Sequence, residues 1–376
     1  MEYNKLFVGG DLTGIQKFLY NITSHKAALS LKGRSAFLTK YLQDVCGSIE
    51  EAIANAGDKN YDELYCSGGK FYLITQNTEP IVNAINNCTE KIVEDLWEEH
   101  KGQLGINISY VAFCENNKEF IVEGHENEAN KNSGVLWKYL NAEFTRLKNQ
   151  KFKELLLRDS AKFFDVKGDG GNTKTCAVTG IEMTDKESVS IGDGLYVLPS
   201  VSKQIDLGKQ LSKMNSDGKP KTFEDYAEGS NLGILRMDVD GLGKRFIVGF
   251  ETIAAYKEFS KKVKDFFENY IGGGNGTYSG EKLLDEKDHK TGIPYGECLN
   301  VIYAGGDDLF IVGHWDRFID FAELIHSKTK EHFEEDCYMD TTIINATPKM
   351  FLKYKLCLIK YSLYFKNADG RTLMMD

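Results

Sequence analysis

Two adjacent carboxylates, Asp307 and Asp308, follow two glycines in the run Tyr303-Ala304-Gly305-Gly306-Asp307-Asp308-Leu309-Phe310. The glycines separate two short apolar runs, Leu299 to Tyr303 and Leu309 to Val312, so the segment reads as a β-hairpin with acidic oxygens at its tip. Mg²⁺ and Mn²⁺ are suited to such oxygen ligands, and Mg²⁺ sites typically combine one or two carboxylates with substrate phosphates. A second acidic pair, Asp238 and Asp240, closes the apolar run Leu235-Arg236-Met237-Asp238-Val239-Asp240-Gly241. Taken alone, Gly-Gly-Asp-Asp is also the composition of a solvated surface turn. With Asp238 at a neighbouring strand end, the set can hold metal ions that activate a hydroxyl and stabilise a leaving pyrophosphate. Asp238, Asp307 and Asp308 are therefore assigned both catalysis and metal ligation, and Gly305 and Gly306 are assigned to the nucleotide.

The elements needed to bring these acids together can be read from the pattern. A strand at 232–238, a helix at about 251–270, a hairpin at 298–313 and a helix at about 316–334 follow the order of a ferredoxin-like palm. In that topology the end of the first strand lies beside the hairpin tip. The fourth strand is expected at Thr341 to Ala346, which is rich in β-branched residues. Met350 to Phe365 is aromatic and studded with lysine, without a clear period. Gly272-Gly273-Gly274-Asn275-Gly276 opens a polar insert to about 296 that reads as a flexible or lid-like loop.

The frame occurs twice. Gly10-Asp11-Leu12-Thr13-Gly14 aligns with Met237-Asp238-Val239-Asp240-Gly241, and Tyr65-Cys66-Ser67-Gly68-Gly69-Lys70-Phe71 aligns with Tyr303 to Leu309. In that register Thr13 replaces Asp240, while Gly69 and Lys70 replace Asp307 and Asp308. The first copy thus keeps the strand–turn–strand frame without most of the acids. Gly68, Gly69 and Lys70 are expected to bind nucleotide there without catalysing transfer, because a cation repels the metal the chemistry needs. The fold class is α+β: two ferredoxin-like palms with a small domain between them. Expected boundaries are 1–158 for the first, degenerate palm, 159–229 for the linker domain and 230–376 for the second palm. In the first palm the pattern predicts a strand at 5–10, helices at about 13–23 and 34–55, a hairpin at 62–75, a helix at 79–100, a strand at 105–113 and a long helix at about 131–157.

Five collinear stretches carry a family resemblance: Gly10 to Gln16, Leu31 to Ser35, Ser67 to Leu73, Leu235 to Gly243 and Tyr303 to Phe310. Together they resemble the large, polymerase-like subunit of type III CRISPR interference complexes, in the Csm branch of subtype III-A. The resemblance implies an antiviral-defence subunit that binds ATP and makes cyclic oligoadenylate when its complex engages target RNA. It also implies partner subunits, a guide RNA and a cytoplasmic location. That family commonly carries an HD nuclease domain, but none of the seven histidines here is followed by aspartate, so no HD-type DNase activity is expected. Its zinc ribbon is represented by Lys174-Thr175-Cys176-Ala177-Val178-Thr179-Gly180, and one thiolate does not close a tetrahedral site, so no zinc is expected. The C-terminal end is atypical of the family and expected to be shortened. A catalytically impaired scaffold, or an enzyme resembling the diguanylate cyclases with their Gly-Gly-Asp hairpin, stands as the alternative.

The net charge of −10 does not attract nucleic acid as a whole, so RNA contact must come from partners or local patches. Arg146, Lys148, Lys151, Lys153 and Arg158 form one patch, with a solvated helix face as the favoured reading over phosphate contact. Lys32 and Arg34, at the expected start of a helix, form a second candidate phosphate site. The eight cysteines are scattered without a Cys-x-x-Cys pair and read as reduced, mostly buried thiols. No apolar run is long enough to cross a membrane, and no membrane partner is expected. Only a short linker and an irregular tail are expected to hold one palm against the other, which would make activity depend on the assembled complex.

Overall fold

A computed structural model describes residues 2–23, 26–100, 102–161, 173–227, 231–240, 250–276, 278–306, 308–338 and 351–360. The first sheet is built from β1 (Lys5–Thr13), β2 (Asp62–Ser67), β3 (Lys70–Gln76), β4 (Gly105–Asn116) and β5 (Glu119–Val122), in the order β2-β3-β1-β4-β5. Two small hairpins follow, β6 (Thr173–Thr175) with β7 (Glu182–Thr184) and β8 (Val189–Gly192) with β9 (Leu195–Val197). The second large sheet is built from β10 (Asn231–Asp240), β11 (Leu299–Gly305), β12 (Asp308–His314) and β13 (Phe351–Lys360), in the order β11-β12-β10-β13. Both large sheets place the first strand between the inner hairpin strand and the fourth strand, as a ferredoxin-like palm does.

The repeat holds down to the register. Gly10 opposite Phe71 and Cys66 opposite Phe71 in the first sheet correspond to Met237 opposite Leu309 and Ala304 opposite Leu309 in the second. Each hairpin also has a register shift at the same place, between Glu63 and Tyr65 and between Val301 and Tyr303. A bulge re-aims the strand beyond it, and here both copies use one just before the glycine tip.

Four expectations are corrected. The fourth strand of the second palm is Phe351–Lys360, paired with β10 along Asn231 to Asp240, and not Thr341 to Ala346, which lies outside the described residues. Alternation is present there, with Leu352, Tyr354, Leu356 and Leu358 interleaved by Lys353 and Lys355, but the aromatic and lysine content obscured it. The 13–23 helix is the short α1 (Ile15–Tyr20). The helix expected from 34 begins at Ala27 and runs to Asn55 (α2), so Lys32 and Arg34 sit within it and not at its N-terminus. The 79–100 helix is present as α3 (Glu79–His100). The 131–157 helix is two, α4 (Gly134–Lys148) and α5 (Lys153–Arg158), with Phe152 between them at φ 57°.

The palms also share one core, against the expectation that only a linker and a tail join them. Even positions of β1 (Leu6, Val8, Leu12) pack against α2 and α3, while Phe7 on the other face meets Trp137 of α4. Trp137 in turn lies 3.9 Å, centroid to centroid, from Tyr256 of the second palm's helix Ile253–Lys264. The cluster continues through Phe259 and Phe267 to Phe333. Burying several aromatic rings across a junction fixes its geometry as firmly as a domain core does. The insert after Gly272 is fastened as well: Leu283 and Tyr295 are buried, Asp288 accepts from the Arg317 guanidinium at 2.9 Å, and Lys290 pairs with Asp320 at 2.7 Å.

The helix Pro199–Leu211 follows the two small hairpins. Cys176 is buried there with Val178, Met183 and Val201. This helix crosses α2 at glycine contacts: a Cβ on Gly33 would stand 1.7 Å from the Gln204 carbonyl oxygen. Arg34, almost wholly buried, donates to the Phe18 carbonyl (2.5 Å), the Asn21 carbonyl (3.0 Å) and Gln204 Oε1 (3.1 Å).

His100 packs against Phe18 and Phe37 near Arg34, and burial followed by that guanidinium pulls its pKa to about 4. The folded state keeps the imidazole neutral, whereas the unfolded chain protonates it near 6.5. The stability it contributes is therefore present above pH 6.5 and lost as pH falls towards 4, by about 3 kcal/mol. Thermal melting between pH 7 and 4.5 should show His100→Phe losing less stability than the parent; parallel curves would assign the acid limb to other groups.

Candidate active site between the two palms

The acids sit where the strand ends and the hairpin tip converge. Met237 is the last residue of β10 opposite β12, facing Leu309, so Asp238 and Asp308 are the next positions on the two adjacent strands. Asp308 opens β12 opposite Gly305. Asp307 is outside the described residues, and Asp238 is located here by its backbone alone. Asp308 Oδ2 accepts from Gln16 Nε2 at 3.4 Å, and Gln16 Oε1 accepts from Arg236 Nη2 at 3.1 Å. One amide of the first palm thus spans an acid and a cation of the second. Tyr20 completes this edge, its ring 5.4 Å from Phe310. Burial pushes its hydroxyl pKa up, opposed by Arg236 and reinforced by Asp308.

The glycine turns of the two hairpins meet. Gly68 has φ +57°, and a Cβ there would lie 2.7 Å from Gly306 Cα; Gly306 has φ +63°. Both conformations favour glycine, and the backbone contact between them leaves no room for a side chain. Gly69, at φ +83°, faces Ile15. Ser67, Gly68, Glu268, Tyr303 and Gly305 line a cavity of about 10 Å³ at this junction, enough for about one water.

Each palm's long helix also grips the other palm's outer hairpin strand. Lys32 Nζ of α2 donates to the Val301 carbonyl at 2.6 Å and to Asn300 Oδ1 at 3.3 Å. Burial, then Lys213, pulls that ammonium down to about 8. Reciprocally, Lys264 Nζ donates to the Cys66 carbonyl at 3.1 Å and Lys257 pairs with Asp62. These bonds, with those of Arg34, correct the phosphate reading of Lys32 and Arg34: both cations are committed to protein acceptors inside the fold.

The first palm's version of the site is neutralised. Asp11, the counterpart of Asp238, is 5% exposed and pairs with Lys148 of α4 at 2.6 Å. Lys70 faces Asp11 across the strand pair, with no side-chain partner among the described residues. Two lysines thus stand around the single retained carboxylate. Three more members of the basic patch are similarly occupied: Arg146 with Glu143 at 2.8 Å, Arg158 with Glu94 at 2.6 Å, and Lys151 with the Gly102 carbonyl at 3.2 Å. The solvated-face reading describes them better than a phosphate track.

Gln16, Arg236 and Ser67 were not assigned from sequence although they lie within the motifs. Glu268 carried no signal, because a glutamate on an amphipathic helix reads as a solvated residue. Metal fits the second palm by its donor chemistry, acids at a strand end beside an acid at a turn, and does not fit the first, where Lys70 takes the place of Asp308 and Lys148 pairs with the retained Asp11.

The family profile of the Csm1 subunit domain B matches residues 4–167, and that of the Cas10/Cmr2 second palm domain matches residues 231–363. A protein of Thermococcus onnurineus (strain NA1), named CRISPR system single-strand-specific deoxyribonuclease Cas10/Csm1 (subtype III-A), is 25% identical over 402 residues, covering 85% of this chain and 48% of the relative. Its namesake in Enterococcus italicus (strain DSM 15952 / CCUG 50447 / LMG 22039 / TP 1.5) is 24% identical over 383 residues, covering 84% and 46%. Among solved structures, the Csm1-Csm4 cassette in complex with pppApA superposes with a TM-score of 0.63 at 23% identity, covering 96% of this chain and 51% of that one. The cassette in complex with cA4 gives 0.61 at 22% identity, covering 94% and 50%. The chain spans about half the length of the curated relatives it matches, and the structural likeness establishes a shared fold.

Proposed function

Because the chain belongs to the Cas10/Csm1 family of subtype III-A CRISPR systems, we propose that it is a nucleotidyltransferase of RNA-guided defence, converting ATP into cyclic oligoadenylate at its second palm. The observation that carries this reading is the register that sets Asp238 beside Asp308, with Gln16 of the other palm bonded to that acid. Asp238, Asp307 and Asp308 would hold Mg²⁺ or Mn²⁺, which when bound supplies hydroxyl activation and charge stabilisation. Gly305 and Gly306 keep the turn free of side chains beside the acids, with Gly306 backed against Gly68 of the other palm. Gly68 and Gly69 present the opposite turn, and Lys70, without a side-chain partner among the described residues, offers a cation to a phosphate. Two palms in fixed apposition suit a reaction that joins two identical nucleotides, since attacking and accepting groups must be aligned to within about an ångström.

Solved relatives in complex with one ATP, pppApA and cA4 support adenine nucleotides as the ligand class. The cassettes contain Csm4, which supports a subunit of that kind as partner. Guide RNA and target RNA complete the proposed assembly, with activity rising when the target is bound. The test is labelled-nucleotide turnover by the assembled complex with Mg²⁺ or Mn²⁺, with and without target RNA. Cyclic oligoadenylate from ATP is expected. A cyclic product from GTP alone would place the chain with the diguanylate cyclases, and no product from either would leave a scaffold.

A further inference from the structure

The second palm's helix does not end as an α-helix. Residues Asp265–Ile271 form a π turn, seven residues wound with a wider hydrogen-bond spacing. Such turns are rare and frequently occur at functional sites. This one carries Glu268, 9% exposed, out of its own palm to the first palm's hairpin tip. There the Ser67 hydroxyl donates to its carboxylate, beside the Gly68 backbone N–H, which favours the charged form. Lys264, one turn earlier, holds the adjacent Cys66 carbonyl. The end of the same turn abuts the other hairpin: a Cβ on Gly272 would stand 2.7 Å from Ala304 Cβ. One short segment therefore touches both hairpins, beside the point where Gly68 meets Gly306.

A buried carboxylate is costly unless charge-assisted donors satisfy it. The hydroxyl that donates to Glu268, from Ser67, belongs to the palm opposite its own. Burial raises its pKa, while Ser67, Lys264 and the Gly68 N–H draw it back. Its bonds are thus directed at the relative placement of the two tips, and a residue serving only its own helix would bond within the second palm.

We propose that Glu268 is a positioning residue: from the π turn it holds the Ser67-Gly68 tip of the first palm against the Gly305-Gly306 turn, and so sets the geometry of the acids that follow that turn. This rests on the assignment of the second palm as the nucleotide-transfer site.

Glu268→Gln keeps the shape but removes the negative charge and puts an NH2 donor where one carboxylate oxygen stood, so the charge-assisted bond from the Ser67 hydroxyl is weakened. In the full chain, amide hydrogen exchange should accelerate together at 66–70 and at 303–306. In the assembled complex, kcat for ATP conversion should fall about tenfold or more with KM little changed, since misplacement of reacting groups by about an ångström costs up to roughly 100-fold. Ser67→Ala should move both readouts in the same direction by less, and the double variant should add little to Glu268→Gln. Faster exchange confined to 265–271, or unchanged exchange at both tips, would overturn the proposal whatever the turnover. If exchange responds at both tips while even the parent makes no product, the coupling stands and the assignment of the reaction fails.

Discussion

Replacing Asp307 and Asp308 together by alanine should abolish ATP conversion while leaving the fold and the assembly of the complex intact. In the proposed site the two side chains would be the oxygen donors of the hairpin tip, and Asp238 alone would offer too few ligands to hold a hard divalent cation in place. Losing both hydroxyl activation and charge stabilisation removes a factor on the order of 10³ or more. The fold should tolerate the change because Asp308 is partly exposed and lies at the hairpin tip. Turnover of labelled ATP, read beside co-purification of partner subunits, checks both halves. Undiminished product would put the active site elsewhere in the molecule, and loss of assembly would show that the turn is structural.

Gly68→Ala should also cost activity, by a different route. Its φ of +57° is unfavourable for any residue with a Cβ, by roughly 1–2 kcal/mol. The new Cβ would stand 2.7 Å from Gly306 Cα, a backbone atom that cannot turn aside as a side chain can. The two tips must separate, and turnover should fall by about 100-fold because the apposed groups lose alignment. Gly306→Ala meets Gly68 Cα at 3.2 Å and should be milder in its effect on tip separation. Crystal structures of the two variants, or exchange at 66–70, would rank them; equal displacement would show that the turns are not in tight contact.

The acids were legible as a candidate site because a metal site would restrict residue type as well as spacing. Asp at a strand end and Asp-Asp after Gly-Gly, set in one frame, offer oxygens suited to a cation. The repeat was legible for a related reason. Each copy must turn its hairpin on two glycines, and Tyr65 to Phe71 against Tyr303 to Leu309 preserves that requirement after the acids have gone. Element boundaries were less secure. The stretch from Met350 to Phe365 contains the fourth strand of the second palm, but its pairing with β10 along Asn231 to Asp240 is a long-range contact that local pattern does not contain.

By itself the sequence determined the ferredoxin-like order of both palms, the place of the acidic turn and the exchange of Asp308's counterpart for Lys70. These are properties of residue type and strand period, which act over a few neighbouring positions. Tertiary structure alone decided how the palms meet. Trp137 against Tyr256, Lys32 on the Val301 carbonyl, Glu268 on Ser67, and Gln16 between Asp308 and Arg236 join residues more than a hundred positions apart. A buried lysine, a buried glutamate and a buried aromatic each look ordinary in sequence. Their roles arise from what packing removes from water and which donor or acceptor it brings within reach.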